Sequence, residues 1–565
     1  MNRLYRSLAA SFRLDFHLPD SPLINPPAVT FAADENLAEI MTSSAPPQAV
    51  LMDVSENLTV TAPDGSPLGN LMDCLRLLKG RAYPILRFAS ERAGAAIAAL
   101  ADGHCLGDAA LCVPYELRAI LPAVRTAMPL SRGMLDCRGT TLPDDLLDLS
   151  AECHAHDATM LLVDRVPPRA EVRRLQKRFI QVWIDADPAA ATLAGACGVV
   201  TGNPAELYDL FARFPENTTA RPTPLYAHKG LHVTGEFPEN SIKAAAGAGK
   251  YGYDAAEIDI TLTADDVAIV HHDRNTANLF DGDLTVYKST FAELSQLRRR
   301  DFPDDRFDRF DDLMTAMAGY PETPALIEIK TPAFTFGAEE LIRQMGEILG
   351  RPGVQKHCTC IMGVMPPYLS YVHSHLPRLP VAHCTGAPKP APETPDEANL
   401  LIYGFAQDTK GANAGYNPFH PAVNALFARL AHLRGITVFP WSWAFKPWDE
   451  EREPLSAAFA AGYDGLTSDW VTEFADFPID LIPELPAEAA AGQPVIPKGR
   501  LILRTGETVP ADNAEILPLQ GAIERLPGGA FTGRGEVRLA LIFSGALPDG
   551  KPLRLCSETV TMNFI

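Results

Sequence analysis

Four short segments in the middle of the chain carry residue types that can do chemistry: Ala227-His228-Lys229-Gly230, Glu257-Ile258-Asp259, His271-His272-Asp273 and Glu328-Ile329-Lys330. They supply imidazoles that titrate near neutrality, carboxylates that can hold a divalent cation, and lysines that can meet an anion. Metal-assisted attack on a phosphate diester needs that combination, and few other reactions do.

Glu257 and Asp259 lie two residues apart in the apolar run 255–262, so a strand there turns both to the same face. With Ile258 and Ile260 packed outward, the two acids point inward near the strand's C-terminal end. Close carboxylates repel unless a positive charge lies between them, and a hard cation with oxygen ligands is the usual answer. Glu328 and Lys330 repeat the spacing on a second run, 325–329. His228 ends a third, Leu225-Tyr226-Ala227, and Gly230 lets the backbone turn sharply after it. Lys229 and Lys330 suit phosphate oxygens as point charges. Neighbouring strand residues face opposite sides, so only one of His271 and His272 can enter such a site, and parity alone does not say which. His232, His357, His373, His375 and His432 are given no chemical role.

The elements that must position these residues are legible as an alternation. Buried strands are expected at 255–262, 267–270, 325–329, 358–364, 400–404 and 436–441, with helices such as 338–349 and 422–434 between them. That order implies a parallel sheet, and about 250 residues fits a closed (β/α)8 barrel. Periodicity does not report closure, so a doubly wound sheet stays open at this stage.

The chain of 565 residues is too long for one core. Proline-rich joints at 214–224 and 478–497 divide it into three units, 1–220, 221–480 and 481–565. The first reads as a worn, non-catalytic copy of the second. Leu51-Met52-Asp53-Val54 sits where Glu257-Ile258-Asp259-Ile260 would, Arg87-Phe88 replaces Glu328, and no His-Lys-Gly segment opens it. The third unit alternates with the two-residue period of half-buried strands and is expected to be a small β-rich accessory domain packed on a barrel.

Net charge is −21, which disfavours nucleic acid and anionic lipid surfaces as partners. Any phosphate must therefore be held by a local basic site. The ten cysteines show neither a disulfide framework nor zinc spacing and read as reduced, buried thiols. No apolar stretch is long enough for a membrane helix, and charge interrupts the segment that follows Met1-Asn2-Arg3, so cytoplasm is the expected address.

The span from about 225 to 474 resembles the glycerophosphodiester phosphodiesterase family, whose domain is a TIM barrel. The segments that carry the likeness are Ala227-His228-Lys229-Gly230, Pro238-Glu239-Asn240-Ser241, Glu257 through Thr263, His272-Asp273, Glu328-Ile329-Lys330, Trp441 and Gly465-Leu466-Thr467-Ser468-Asp469. The resemblance implies that His228 and His272 are the catalytic pair and that Glu257, Asp259 and Glu328 bind a divalent ion, Ca²⁺ or Mg²⁺. It further implies that Lys330 touches the phosphate and that Trp441 lines the alcohol side. Three departures stand out: lysine at 229 where the family has arginine, Arg274 to Asn278 after His272-Asp273, and long loops at 388–399 and 445–454.

The expected reaction is hydrolysis of a small glycerophosphodiester to an alcohol and sn-glycerol 3-phosphate. One histidine takes a proton from the nucleophile and the other protonates the leaving alkoxide. The resemblance suggests that the glycerol 2-hydroxyl attacks first, giving a cyclic phosphate that water then opens. Lysophospholipids or a polymeric glycerophosphate are the nearest alternative substrates. A scaffold that merely retains the motif is the rival class. It is disfavoured because a site freed from catalysis has no physical reason to keep mutually repelling acids together.

Overall fold

The computed structural model describes residues 16–78, 80–104, 108–143, 145–330, 338–386, 390–442 and 446–565. The amino-terminal segment read above for an export signal falls largely outside them, as do parts of the loops at 388–399 and 445–454.

The first sheet holds ten strands: β1 (Ala28–Ala32), β2 (Ala49–Val54), β3 (Thr59–Thr61), β4 (Pro67–Asn70), β5 (Tyr83–Arg87), β6 (Ala110–Pro114), β7 (Arg132–Asp136), β8 (Ala158–Val163), β9 (Gln181–Ile184) and β10 (Gly198–Val200). All but β3 and β4 are parallel, and β1 pairs with both β10 and β2, so the sheet closes into a barrel. Both faces of these strands are buried, which is why they read as continuous apolar runs. β3 and β4 form an antiparallel hairpin carried on β2.

After a linker strand β11 (Thr218–Thr219) comes a second barrel. It is built from β12 (Leu225–Ala227), β13 (Ala255–Leu262), β14 (Ala268–Val270), β15 (Ala325–Ile329), β16 (Cys358–Gly363), β17 (Val381–Thr385), β18 (Gly415–Pro418), β19 (Trp441–Ser442) and β20 (Leu466–Ser468). The parallel path runs β18-β17-β16-β15-β13-β12-β20-β19, and single bridges Tyr416↔Val438 and Phe419↔Trp441 join its two ends. This barrel is therefore all but closed, which decides against the doubly wound alternative. β14 is not a barrel stave: it pairs antiparallel with β13.

Two expected strands are corrected. Residues 400–404 lie inside the helix Pro395–Asp408, whose start carries a capping box between Thr394 and Glu397 and a proline in the first turn. Its buried residues Ala398, Ile402, Phe405 and Ala406 follow a helical period, a pattern that a short apolar run hides. In 436–441 only Trp441 enters a ladder, with Val438 held by one bridge. The barrel uses β17 and β18 instead; β18 is short, polar at Asn417 and closed by Pro418, so it gave little strand signal.

The barrels meet at the N-terminal ends of their strands, so their C-terminal faces point apart. Arg434 grips Asp108 through two 2.8 Å bonds, and Arg125 and Arg132 both donate to Asn413 Oδ1. Phe179, at φ 62°, comes from the first barrel and joins the buried cluster of Tyr226, Leu326, Cys360 and Phe439 in the floor of the second.

The last β-rich region, from β21 (Asp480–Pro483) to β28 (Val560–Phe564), packs on both barrels. Its strand β27 (Pro552–Cys556) pairs with β11, and Arg504 reaches Asp254 at the foot of β13. Asp254 also receives Arg173 from the first barrel at 2.7 Å, so one buried acid ties all three regions. The described cysteines are buried and free, as expected. Among the described residues no helix is long and apolar enough to cross a membrane.

Candidate functional site

Inward-facing positions of the second barrel build a site at its C-terminal end. On β13 the residues Ala256, Ile258 and Ile260 join the core between sheet and helices, which leaves Glu257 and Asp259 pointing in. β15 is in register, with Asp259 opposite Glu328. The three acids are almost fully buried, and one oxygen of each lies within 4.8 Å of the others. Burial, then repulsion from Asp259 and Glu328, pushes the Glu257 carboxyl well above its ordinary range. Burial acts on Asp259 in the same sense, but the Lys330 ammonium, followed by His272 and Lys229, outweighs it and holds that group low. Glu328 is raised, chiefly by burial.

The surrounding bonds orient this set. Asn240 donates to Asp259 Oδ2 at 2.8 Å and accepts from the Asp259 N–H at 3.0 Å. The Lys229 N–H donates to Glu257 Oε2 at 2.9 Å, while Glu257 Oε1 is buried without a hydrogen-bond partner. An orphaned carboxylate oxygen inside an all-oxygen cluster fits a hard divalent cation. Lys330 Nζ sits 2.5 Å from Glu328 Oε1 and 3.4 Å from Asp259 Oδ1, and these acids raise its pKa against the pull of burial.

His228 follows β12. Its Nδ1 is 2.7 Å from Asp469 Oδ1, and its Nε2 is 4.0 Å from Glu257 Oε2. Asp469 follows β20; burial alone would raise its pKa, but its bonds to His228 and His232 keep it far below the usual carboxylate range. An ionised carboxylate only accepts, so His228 must carry a proton on Nδ1. The turn after His228 demands glycine: Gly230 has φ 75°, and a Cβ there would come within 2.6 Å of Ala244 Cβ. Lys229, at φ 52°, sends its ammonium to Glu239 at 3.0 Å.

The structure resolves the parity question. His272 lines the cavity, with Nδ1 2.6 Å from Asp273 Oδ1, while His271 turns into an aromatic cluster with Phe280 and Phe307. A cavity of about 560 Å³ joins His228, Lys229, Glu257, His272, Glu328 and Lys330. Trp441 lines the same cavity, as do the apolar Met362, Val364 and Cys384, and its Nε1 donates to the Thr385 carbonyl at 3.1 Å. His228, Lys229, Glu257, His272, Glu328, Lys330 and Trp441 thus border one space, and Asp259 joins them through its closeness to Glu257, Glu328 and Lys330, whereas His271 turns away.

Two site residues had no assigned role. Asp469 is the acid directly after β20, a position beyond a strand's C-terminal end that could have flagged it. His232, given no chemical role from the sequence, lines the cavity and bonds Asp469 Oδ1 at 3.1 Å. No periodic signal marks it, because it stands in a loop.

Comparison with known proteins agrees with the likeness read from the motifs. Residues 228–472 match the model of the glycerophosphoryl diester phosphodiesterase family, and the likeness stated above holds over that span, which is less than half of the chain. A curated relative, glycerophosphodiester phosphodiesterase 1 of Mus musculus, is 30% identical over 96 residues, which span 16% of this chain and 28% of that protein. Among solved structures, an Oleispira antarctica phosphodiesterase in complex with the product sn-glycerol-3-phosphate aligns at 18% identity and TM-score 0.35, covering 44% of this chain and 94% of that one. A glycerophosphodiester phosphodiesterase from Parabacteroides distasonis aligns at 18% identity and TM-score 0.35, covering 45% and 93%.

Proposed function

We propose that the second barrel hydrolyses glycerophosphodiesters to an alcohol and sn-glycerol 3-phosphate. The observation that carries this reading is the convergence of His228 and His272 with Glu257, Asp259 and Glu328 around a single cavity. The three acids would hold a divalent cation, Ca²⁺ or Mg²⁺, which when bound neutralises charge that develops on the phosphate.

The remaining steps belong to side chains. Lys330 and Lys229 meet the non-bridging phosphate oxygens. His228, protonated on Nδ1 by its bond to Asp469, presents a bare Nε2 beside the acids and takes the proton from the attacking hydroxyl. His272, whose Nδ1 is likewise held by Asp273, stands nearer solvent and returns a proton to the leaving alkoxide. Attack by the glycerol 2-hydroxyl expels the alcohol and closes a cyclic phosphate, which water then opens to glycerol 3-phosphate; the first step gains from proximity, since well-oriented intramolecular nucleophiles reach effective molarities on the order of 10⁵ M or more. Trp441 closes the alcohol side.

The apolar residues of the lining, Met362, Val364, Cys384 and Trp441, favour one second substrate class, lysophospholipids. Glycerophosphocholine and other glycerophosphodiesters, assayed for glycerol 3-phosphate release, and lysophosphatidylcholine, assayed for choline and acylglycerol phosphate release, each with and without added Ca²⁺ or Mg²⁺, test both. Turnover of the small diesters that a chelator abolishes and the ion restores is expected. Turnover of the lipid alone would replace the small-diester reading with the second. No turnover of any substrate would remove both.

A further inference from the structure

The registers of the two barrels can be laid one on the other. In the second barrel Glu257 pairs with Leu326 and Asp259 with Glu328. In the first, Leu51 pairs with Ile85 and Asp53 with Arg87. Both second staves continue into an antiparallel hairpin at the same place, Val54↔Val60 in one and Ile260↔Val270 in the other. The first staves are offset alike, with Ala32 opposite Leu51 and Ala227 opposite Ala256. Counting along these ladders puts Ala32 at the station of His228, Ala33 at Lys229, Leu51 at Glu257, Asp53 at Asp259, Ala62 at His272 and Arg87 at Glu328.

A pocket of about 260 Å³ remains at this place in the first barrel, lined by Ala32, Ala33, Leu51, Asp53, Arg87 and neighbours. The change from Glu328 to Arg87 reverses a charge rather than removing one. Arg87 Nη1 donates to Asp53 Oδ1 at 2.7 Å and Arg87 Nε to Asp136 Oδ2 at 2.5 Å. Arg138 closes the group with bonds to Asp136 and, at 2.7 Å, to Asp185. Three acids therefore face two guanidinium groups, which leaves no surplus positive charge for a phosphate. The stations of both catalytic imidazoles hold alanine.

We propose that Arg87 is a resident cation, standing in the first barrel where a divalent ion would stand in the second. The first barrel is then a metal-independent, catalytically silent copy, and it binds neither a divalent ion nor an anionic diester. A guanidinium satisfies two carboxylates permanently and directionally, and it cannot be chelated away. Removing its charge would set Asp53 against the buried Asp136, a repulsion that a divalent ion could relieve.

This is testable apart from the function proposed above, by using the full chain with its second barrel disabled by Asp259→Asn and Glu328→Gln. Equilibrium dialysis of this chain against millimolar ⁴⁵Ca²⁺ is expected to find no bound ion. Adding Arg87→Gln should lower the melting temperature by several degrees and make it rise again with millimolar Ca²⁺. Arg87→Lys, which keeps the charge, should show no Ca²⁺ response, and it serves if the glutamine variant does not fold. An ion bound to the chain that retains Arg87, or a Ca²⁺-dependent melting shift in the lysine variant, overturns the proposal. So does an Arg87→Gln chain that folds with unchanged stability and no Ca²⁺ response. Whether the intact second barrel turns over substrate does not enter any of these readouts.

Discussion

Asp469 Oδ1 lies 2.7 Å from His228 Nδ1 and also receives His232 Nε2 at 3.1 Å, so one buried carboxylate oxygen holds two imidazoles. The bond sets the tautomer of His228 and leaves its Nε2 to face the acids. Asp469→Asn keeps the size but can present an N–H to Nδ1, which inverts the tautomer. We expect kcat to fall about 10²-fold or more, in line with the contribution of a positioned base, while KM changes little. Steady-state release of glycerol 3-phosphate measures it. An equal loss in KM alone would mean that Asp469 only shapes the pocket.

His271 and His272 are neighbours with opposite fates, and mutating each separates them. His272→Ala should cost about 10²- to 10⁴-fold in kcat, the usual worth of a proton-transfer group. His271→Phe should leave kcat within a few-fold, because that ring already packs against Phe280 and Phe307. The paired kinetics decide it, and a larger loss at His271 would reverse the assignment.

These two residues also show where sequence reading stops. Glu257, Asp259 and Glu328 were legible because a period of two fixes their common face, and the ladder Asp259↔Glu328 then needed only parallel pairing. Strand parity did not decide between His271 and His272, which only the resemblance did, because β14 leaves the barrel as a hairpin whose far side is filled by Phe280 and Phe307 from the loops that follow it. Residues 400–404 misled for a related reason: the short run Leu400-Leu401-Ile402-Tyr403 before Gly404 fits a strand or part of a helix, and the capping box at Thr394 lies outside it. His232 sits in a turn whose course depends on Lys229 and Gly230 in left-handed conformations. The stacking of the barrels base to base left no local mark at all, since it rests on single arginines finding acids and carbonyls hundreds of residues away.

One such long-range contact is Phe179, which the first barrel inserts into the floor of the second with its ring 4.8 Å from Phe439. Phe179→Ala would open a cavity among Tyr226, Leu326 and Cys360, and large-to-small changes of this kind cost about 3 to 5 kcal/mol. Urea unfolding should show that loss, and the transition of the second barrel should move with it. A shift confined to the first barrel would mean that the floor is sealed without this ring.

His154 lies fully buried near the same interface, its Nε2 2.7 Å from the Arg178 carbonyl, and burial lowers its pKa from 6.5 to about 4. Above pH 6.5 neither the folded nor the unfolded chain holds the extra proton, so the residue adds no pH dependence there. Between 6.5 and 4 the unfolded chain binds it and the folded chain does not. Stability must therefore fall as the pH falls through this window, by up to about 3 kcal/mol from this residue. His154→Gln can still donate to the Arg178 carbonyl and does not titrate. Melting curves taken from pH 7 to pH 4 should decline less steeply for this variant than for the natural chain, whatever its stability at neutral pH. Parallel declines would show that His154 takes up its proton without unfolding.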